Sequence, residues 1–118
     1  SDIETALDVI YKTGNHQVAL LHCAIDYPPK YEDLNLRAMD TLKQAFQVPV
    51  GFSDHTLGVT SDIAAVARGA CIIEKHFTLN KSMEGNDHIG SMDKEELIIM
   101  ATYGREIERI YDVAIKGV

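Results

Sequence analysis

Three short apolar runs, at residues 18–23, 48–53 and 70–75, constrain this chain more than any other feature. None shows the apolar–polar alternation of a strand with one wet face, so each reads as a strand covered on both sides. The stretches between the runs are long enough for the crossover helices that parallel strands need and hairpins do not. The expected order is helix, strand, helix, strand, helix, strand, helix. That pattern predicts an α/β fold with three parallel strands and four helices.

The helices have their own signals. Ser1 and Glu4 have capping-box spacing, Ile3, Leu7, Ile10 and Tyr11 recur at helical intervals, and Gly14 can end that first helix. From Asp33 to Gln47, residues Leu34, Ala38, Met39, Leu42, Ala45 and Phe46 make one apolar face. Thr60 or Ser61 is placed to cap a third, small-residue helix that Gly69 can stop. Ser91 is placed to cap a fourth, with Asp93, Glu95 and Glu96 in its early turns and Leu97, Met100, Ala101, Ile107 and Ile110 on its buried side.

Composition narrows the function. A net charge of −7 argues against an electrostatic nucleic-acid binder. No uncharged apolar run approaches the roughly 18–20 residues that span a bilayer, and Ser1 to Glu4 lack the regions of a signal peptide, so a cytoplasmic protein is expected. Cys23 and Cys71, each within an apolar run, are expected to be reduced, buried thiols.

Polar residues gather where the runs end. Asp26 and Tyr27 follow the first, Ser53, Asp54 and His55 end the second, and His76 ends the third. These are C-terminal strand ends, where α/β folds place their sites. If the second and third strands are neighbours about 4.8 Å apart, His55 and His76 converge on one divalent ion. Period-two alternation puts Ser53 with His55 and Glu74 with His76, while Phe52, Lys75 and Phe77 face the other way. Two protein ligands leave coordination positions open, as in a metal that polarises a substrate carbonyl. In the long loop after the third strand, Asp87 is the best candidate for work at such a site. His16, His22 and His88 read as structural.

At this point a resemblance enters. Leu20-Leu21-His22-Cys23 with Tyr27-Pro28, then Tyr31-Glu32-Asp33-Leu34-Asn35-Leu36-Arg37-Ala38, then Gly51-Phe52-Ser53-Asp54-His55-Thr56-Leu57-Gly58 and Ile72-Ile73-Glu74-Lys75-His76-Phe77-Thr78 resemble the sialic acid synthase family, in its order and spacing. That family includes N-acetylneuraminate synthase and the legionaminate and pseudaminate synthases. The resemblance implies a (β/α)₈ barrel that condenses phosphoenolpyruvate with an N-acetylated amino sugar, releasing phosphate and forming a nine-carbon 2-keto acid. It implies a divalent metal, manganese first and magnesium or cobalt as alternatives, on His55 and His76. It also implies substrate contacts from Ser53 and Tyr27 and a catalytic or substrate-hydroxyl role for Asp87.

Two positions depart from the family pattern. Ile25 stands where Ser or Asn is expected, and Asn86 stands where a proline usually precedes the loop aspartate. The first leaves the choice of sugar open. A complete barrel takes about 250 residues, so the 118 residues are expected to form a partial barrel, from its fifth helix to its eighth, without the earlier strands or the family's C-terminal antifreeze-like domain. This chain alone is then expected to be inactive and to self-associate along exposed sheet edges. The alternatives are a non-catalytic, metal-binding or self-associating α/β fragment, and an independent flavodoxin-like small domain.

Overall fold

The structure is a computed structural model and describes residues 1–85 and 87–116. Three parallel strands form one sheet in chain order: β1 (Leu20–Cys23), β2 (Val50–Asp54) and β3 (Ile73–Lys75). Leu20 pairs with Val50 and Cys23 with Ser53, and on the other side Phe52 pairs with Ile73 and Asp54 with Lys75. The four helices are α1 (Asp2–Tyr11), α2 (Ala38–Phe46), α3 (Thr60–Ala67) and α4 (Lys94–Lys116). The expected element order holds throughout.

Each strand starts later than its apolar run. Pro49 has no N–H to donate, so the β1–β2 ladder begins at Leu20 and Val50, with Leu20 N donating to the Pro49 carbonyl at 2.9 Å. Ala70 is held in the turn that closes α3, its N–H donating to the Ala65 carbonyl. The second helix is also shorter than its apolar pattern. Tyr31–Asp33 forms a separate 3-10 turn, and Asn35 adopts φ 45°, a left-handed conformation that breaks the helix before Ala38.

Two of the expected caps are used differently. Ser61 turns into a buried network described below, leaving Val59 at the N-cap of α3 without a side-chain bond. At α4 the capping pair is Asp93 and Glu96: Glu96 N donates to Asp93 Oδ1 at 3.0 Å and Asp93 N to Glu96 Oε1 at 3.2 Å. Ser91 instead donates to the Asp87 carbonyl inside the preceding loop. Ser1 caps α1 as read, accepting from Glu4 N.

The core lies on one face of the sheet. Val50 and Phe52 of β2 meet Leu34, Met39 and Ala65, and Leu20, Leu42 and Ile73 pack against them. Phe52 is completely buried, which is worth about 1.5–3 kcal/mol of hydrophobic stabilisation. On the opposite face Gly51 is obligatory, since a Cβ there would lie 2.7 Å from both the Ile72 Cβ and a Leu21 methyl. Leu21, Gly51 and Ile72 thus form a bottom layer, with Cys23, Ser53 and Glu74 above it and His55 and His76 at the top. This face is only partly covered, and Leu21 and Ile72 remain exposed.

Two burial expectations fail for the same reason. Cys23 and Cys71 are exposed free thiols, because β1 and β3 are edge strands among the described residues. Leu97, Ala101 and Ile110, on the apolar side of α4, are exposed as well, Ile110 near the end of that helix, where no described element covers it. Among the described residues no helix is long and apolar enough to cross a membrane.

Candidate functional site

The C-terminal strand ends bring together four of the five residues singled out in the sequence. The rings of His55 and His76 have centroids 5.3 Å apart and stand nearly edge to face. Tyr27, on the loop after β1, completes a three-ring cluster at 5.5 Å from His55 and 6.0 Å from His76. Asp87 folds back from the β3–α4 loop, its Oδ2 lying 3.8 Å from His76 Nδ1. Burial, then the charge and hydrogen bonding of Asp87, raise the Tyr27 hydroxyl pKa above its ordinary value.

The fifth residue, Ser53, sits one layer down and is nearly buried. Its hydroxyl donates to Glu74 Oε1 at 2.8 Å, which ties β2 to β3 directly beneath the histidines. The facing predicted by alternation therefore holds: Ser53, His55, Glu74 and His76 share one side, and Phe52 and Lys75 the other.

The loop carrying Asp87 is tied at its base. Met92 N donates to the His76 carbonyl at 2.8 Å and Thr78 N to the Met92 carbonyl at 2.9 Å. His88 is occupied by Thr78, whose hydroxyl lies 2.7 Å from its Nδ1. His22 bonds the Leu34 carbonyl through Nε2 at 2.7 Å, and His16 stacks on Tyr11, so all three serve structure as read. Ile25 is fully exposed on the loop between β1 and Tyr27, and Asn86 lies outside the described residues.

Both candidate ligands have Nδ1 facing a neighbour. His55 Nδ1 lies 3.5 Å from Cys23 Sγ, and His76 Nδ1 faces Asp87. Engaging Nδ1 in this way leaves Nε2 for a metal and orients the ring. Two imidazoles bound to one ion through bonds of about 2.1 Å would place their centroids about 4.5–5.3 Å apart for angles of about 90–110°. The observed 5.3 Å fits that span. Among the described residues no group of three or more His, Cys, Asp or Glu side chains that could hold a metal ion is found.

Sequence reasoning missed the reverse side. Asp54 ends β2 as expected but points away from the histidines and is buried. Its carboxylate receives Thr56 N and Thr56 Oγ1 at 2.8 Å each, Ser61 Oγ at 3.0 Å and Lys75 Nζ at 2.8 Å. Lys75 also donates to the Thr56 carbonyl at 2.7 Å. Asp62 is buried beside them, 3.9 Å from Lys75 Nζ, with neither carboxylate oxygen hydrogen-bonded. Burial, then the nearby Asp54, pushes the Asp62 pKa up to about 8. Burial also pushes Asp54 up, but the neighbouring Asp62 carboxyl, the Lys75 ammonium and the Thr56 donors outweigh it and hold Asp54 below its ordinary value. The available signal was the alternation itself, which already placed Lys75 on the helix-covered face, where a charge must find a partner.

Comparison with known proteins decides the family, since the NeuB family profile matches residues 1–116. The chain belongs to the NeuB family. It is 47% identical over 117 residues to the N,N'-diacetyllegionaminic acid synthase of Campylobacter jejuni, covering 98% of this chain and 35% of that protein. It is 52% identical over 113 residues to the synthase of the same name from Legionella pneumophila, covering 92% of this chain and 32% of that one. The crystal structure of N-acetylneuraminic acid (sialic acid) synthetase from Leptospira borgpetersenii, in complex with citrate, superposes with a TM-score of 0.87 at 39% identity, over 92% of this chain and 38% of that chain. This NeuB chain therefore spans about a third of the length of the curated relatives it matches. Its three strands and four helices are part of a (β/α)₈ barrel, and the flavodoxin-like alternative is set aside.

Proposed function

We propose that this chain forms the fifth-helix-to-eighth-helix part of a cytoplasmic barrel enzyme of the sialic acid synthase type. The enzyme condenses phosphoenolpyruvate with an N-acetylated amino sugar, N-acetylmannosamine or a related sugar, to a nine-carbon 2-keto acid and phosphate. The observation that carries this reading is the meeting of His55, His76, Tyr27 and Asp87 at the strand ends of a NeuB-family chain. The synthases named among its relatives support a product of the sialic acid type.

His55 and His76 would hold a divalent cation, manganese first and magnesium or cobalt as alternatives. When bound, the cation supplies Lewis acidity toward a sugar aldehyde, so that its carbon accepts C3 of phosphoenolpyruvate. Attack forms the new carbon–carbon bond and leaves positive charge at the enol-phosphate C2. Water adds there and loses a proton, and the C–O bond to phosphate then breaks. Asp87, exposed beside Tyr27 and His76, is placed to orient a sugar hydroxyl or to take the proton of that water. Tyr27 offers a hydroxyl and a ring edge to the sugar, and Ser53 holds Glu74 toward the same space.

The test is phosphate release by the intact protein from phosphoenolpyruvate with N-acetylmannosamine and with a diacetamido sugar, before and after chelation. Release is expected with one of the sugars and lost on chelation. The His55→Ala/His76→Ala double variant is expected to lose manganese affinity by at least about a hundredfold. Unchanged affinity would remove both residues from the site.

A second reading applies to the 118-residue chain alone, and the open outer edges of β1 and β3 favour it. Exposed edges with Leu21 and Ile72 uncovered on the site face suit self-association without catalysis. Sedimentation should find oligomers and assay no phosphate release; a monodisperse monomer would count against it.

A further inference from the structure

The candidate metal ligands are held from the helix-covered face of the sheet, opposite to the one on which they meet. Register between β2 and β3 ends at Asp54 and Lys75, and the two histidines are the next residues along their chains. Lys75 is almost wholly enclosed and grips both residues that flank His55: Asp54 through its carboxylate at 2.8 Å and Thr56 through its carbonyl at 2.7 Å. Asp54 in turn draws in the Thr56 N–H and hydroxyl, closing the loop around His55 from behind. Lys75 itself immediately precedes His76, and Met92 ties the His76 carbonyl on the outer side.

We infer that Lys75 is a positioning residue for the histidine pair, fixing the separation of His55 and His76 through its bonds to Asp54 and the Thr56 carbonyl. The inference rests on the reading that those histidines hold a divalent cation. Its energetic logic comes from desolvation. A buried ion pair gives little net stability over a well-packed apolar pair of the same volume, so its advantage here is directional. It donates two bonds along fixed lines to one tight turn, which a packed Met or Leu cannot do. Imidazole ligands need placement within about 0.5 Å, and a hinge at Thr56 or a slip of β3 would splay the rings from their 5.3 Å spacing.

Manganese binding is measured by calorimetry on the intact protein, with Lys75→Met and Asp62→Asn beside the unaltered form and folding checked by circular dichroism. Lys75→Met is expected to bind at least about tenfold more weakly. Asp62→Asn, which leaves both Lys75 bonds in place, should bind within about twofold of the unaltered protein. Wild-type affinity in folded Lys75→Met overturns the inference alone, and equal weakening in Asp62→Asn reduces Lys75 to a general stability role and overturns it too. No binding by the unaltered protein overturns the metal reading beneath it. Should Lys75→Met fail to fold, Lys75→Gln takes its place, since its amide is one atom too short to keep both the Asp54 and the Thr56 bonds, and wild-type affinity there is equally fatal.

Discussion

On one face of the β2–β3 pair, His55, Glu74 and His76 reach solvent, with hydrogen-bonding capacity left over and neighbours at 3.5 Å or more from the imidazole Nδ1 atoms. On the other, Asp54, Thr56, Ser61 and Lys75 are buried, and their short bonds are spent on one another. Residues adjacent in sequence have therefore gone to opposite uses. The difference follows from strand geometry: alternate side chains face opposite ways, so a rigid buried knot can stand directly behind an open, ligand-ready cluster. It also predicts that substitutions one residue apart will differ sharply in what they damage.

The largest effect should come from Asp54→Ala. It leaves the Lys75 ammonium enclosed without its principal partner and strips the acceptor from Thr56 and Ser61. Breaking one side of a buried pair costs about 3–5 kcal/mol. Denaturant unfolding of the intact protein should show a loss of that size, whereas His55→Ala, next in the chain, should cost less than about 1 kcal/mol. Similar losses for the two would erase the distinction between the faces.

The second effect separates the faces by pH. With its pKa pushed up to about 8 from 3.8, Asp62 keeps in the folded protein a proton that the unfolded chain has released. Across that window the folded state binds more protons, so stability falls as pH rises and levels off above about 8. Asp54 works in the opposite sense but lower down, because its depressed value costs stability only as pH falls below the ordinary carboxylate range. Unfolding free energies from pH 5 to 9 should therefore decline by up to about 1.4 kcal/mol per unit below pH 8, and Asp62→Asn should flatten the slope. A slope unchanged in Asp62→Asn would place the titrating group elsewhere.

The site face is open at its top but not at its base. Gly51 has no room for a methyl between Leu21 and Ile72. Overpacking of this kind costs about 1–3 kcal/mol, so Gly51→Ala should lower the unfolding midpoint without moving the pH slope. A neutral result would mean that the Leu21–Gly51–Ile72 layer is loosely filled.

Much of this was legible in the sequence, for identifiable reasons. Apolar runs without alternation gave the parallel strands, because a strand covered on both faces has no polar positions to spare. Period two gave the shared side of Ser53, His55, Glu74 and His76, since that geometry is independent of what the strands pack against. The helix starts at Ala38 and Lys94 were not legible. They depend on a left-handed Asn35 and on Asp93 competing successfully with Ser91 for the cap. Nor was the Asp54–Lys75–Asp62 knot, which joins three segments and carries no local pattern. The exposure of Cys23 and Cys71 was misjudged because an apolar run predicts strand character, while burial depends on whether that strand lies at an edge.

The smallest expected effect lies where the two faces nearly touch. Ser53 is nearly as enclosed as the knot residues, yet its side-chain bond runs outward, to a Glu74 carboxylate that is itself exposed. Ser53→Ala would return that carboxylate to water, so the loss is one hydrogen bond without an orphaned buried charge, about 0.5–1.5 kcal/mol. The freed Glu74 would no longer be fixed against β2 beneath the histidines. Sugar binding by the intact protein should then weaken more than stability does, with the KM for sugar rising while the unfolding midpoint barely shifts. A midpoint loss as large as that of Asp54→Ala would show that Ser53 belongs energetically to the buried knot rather than to the open face.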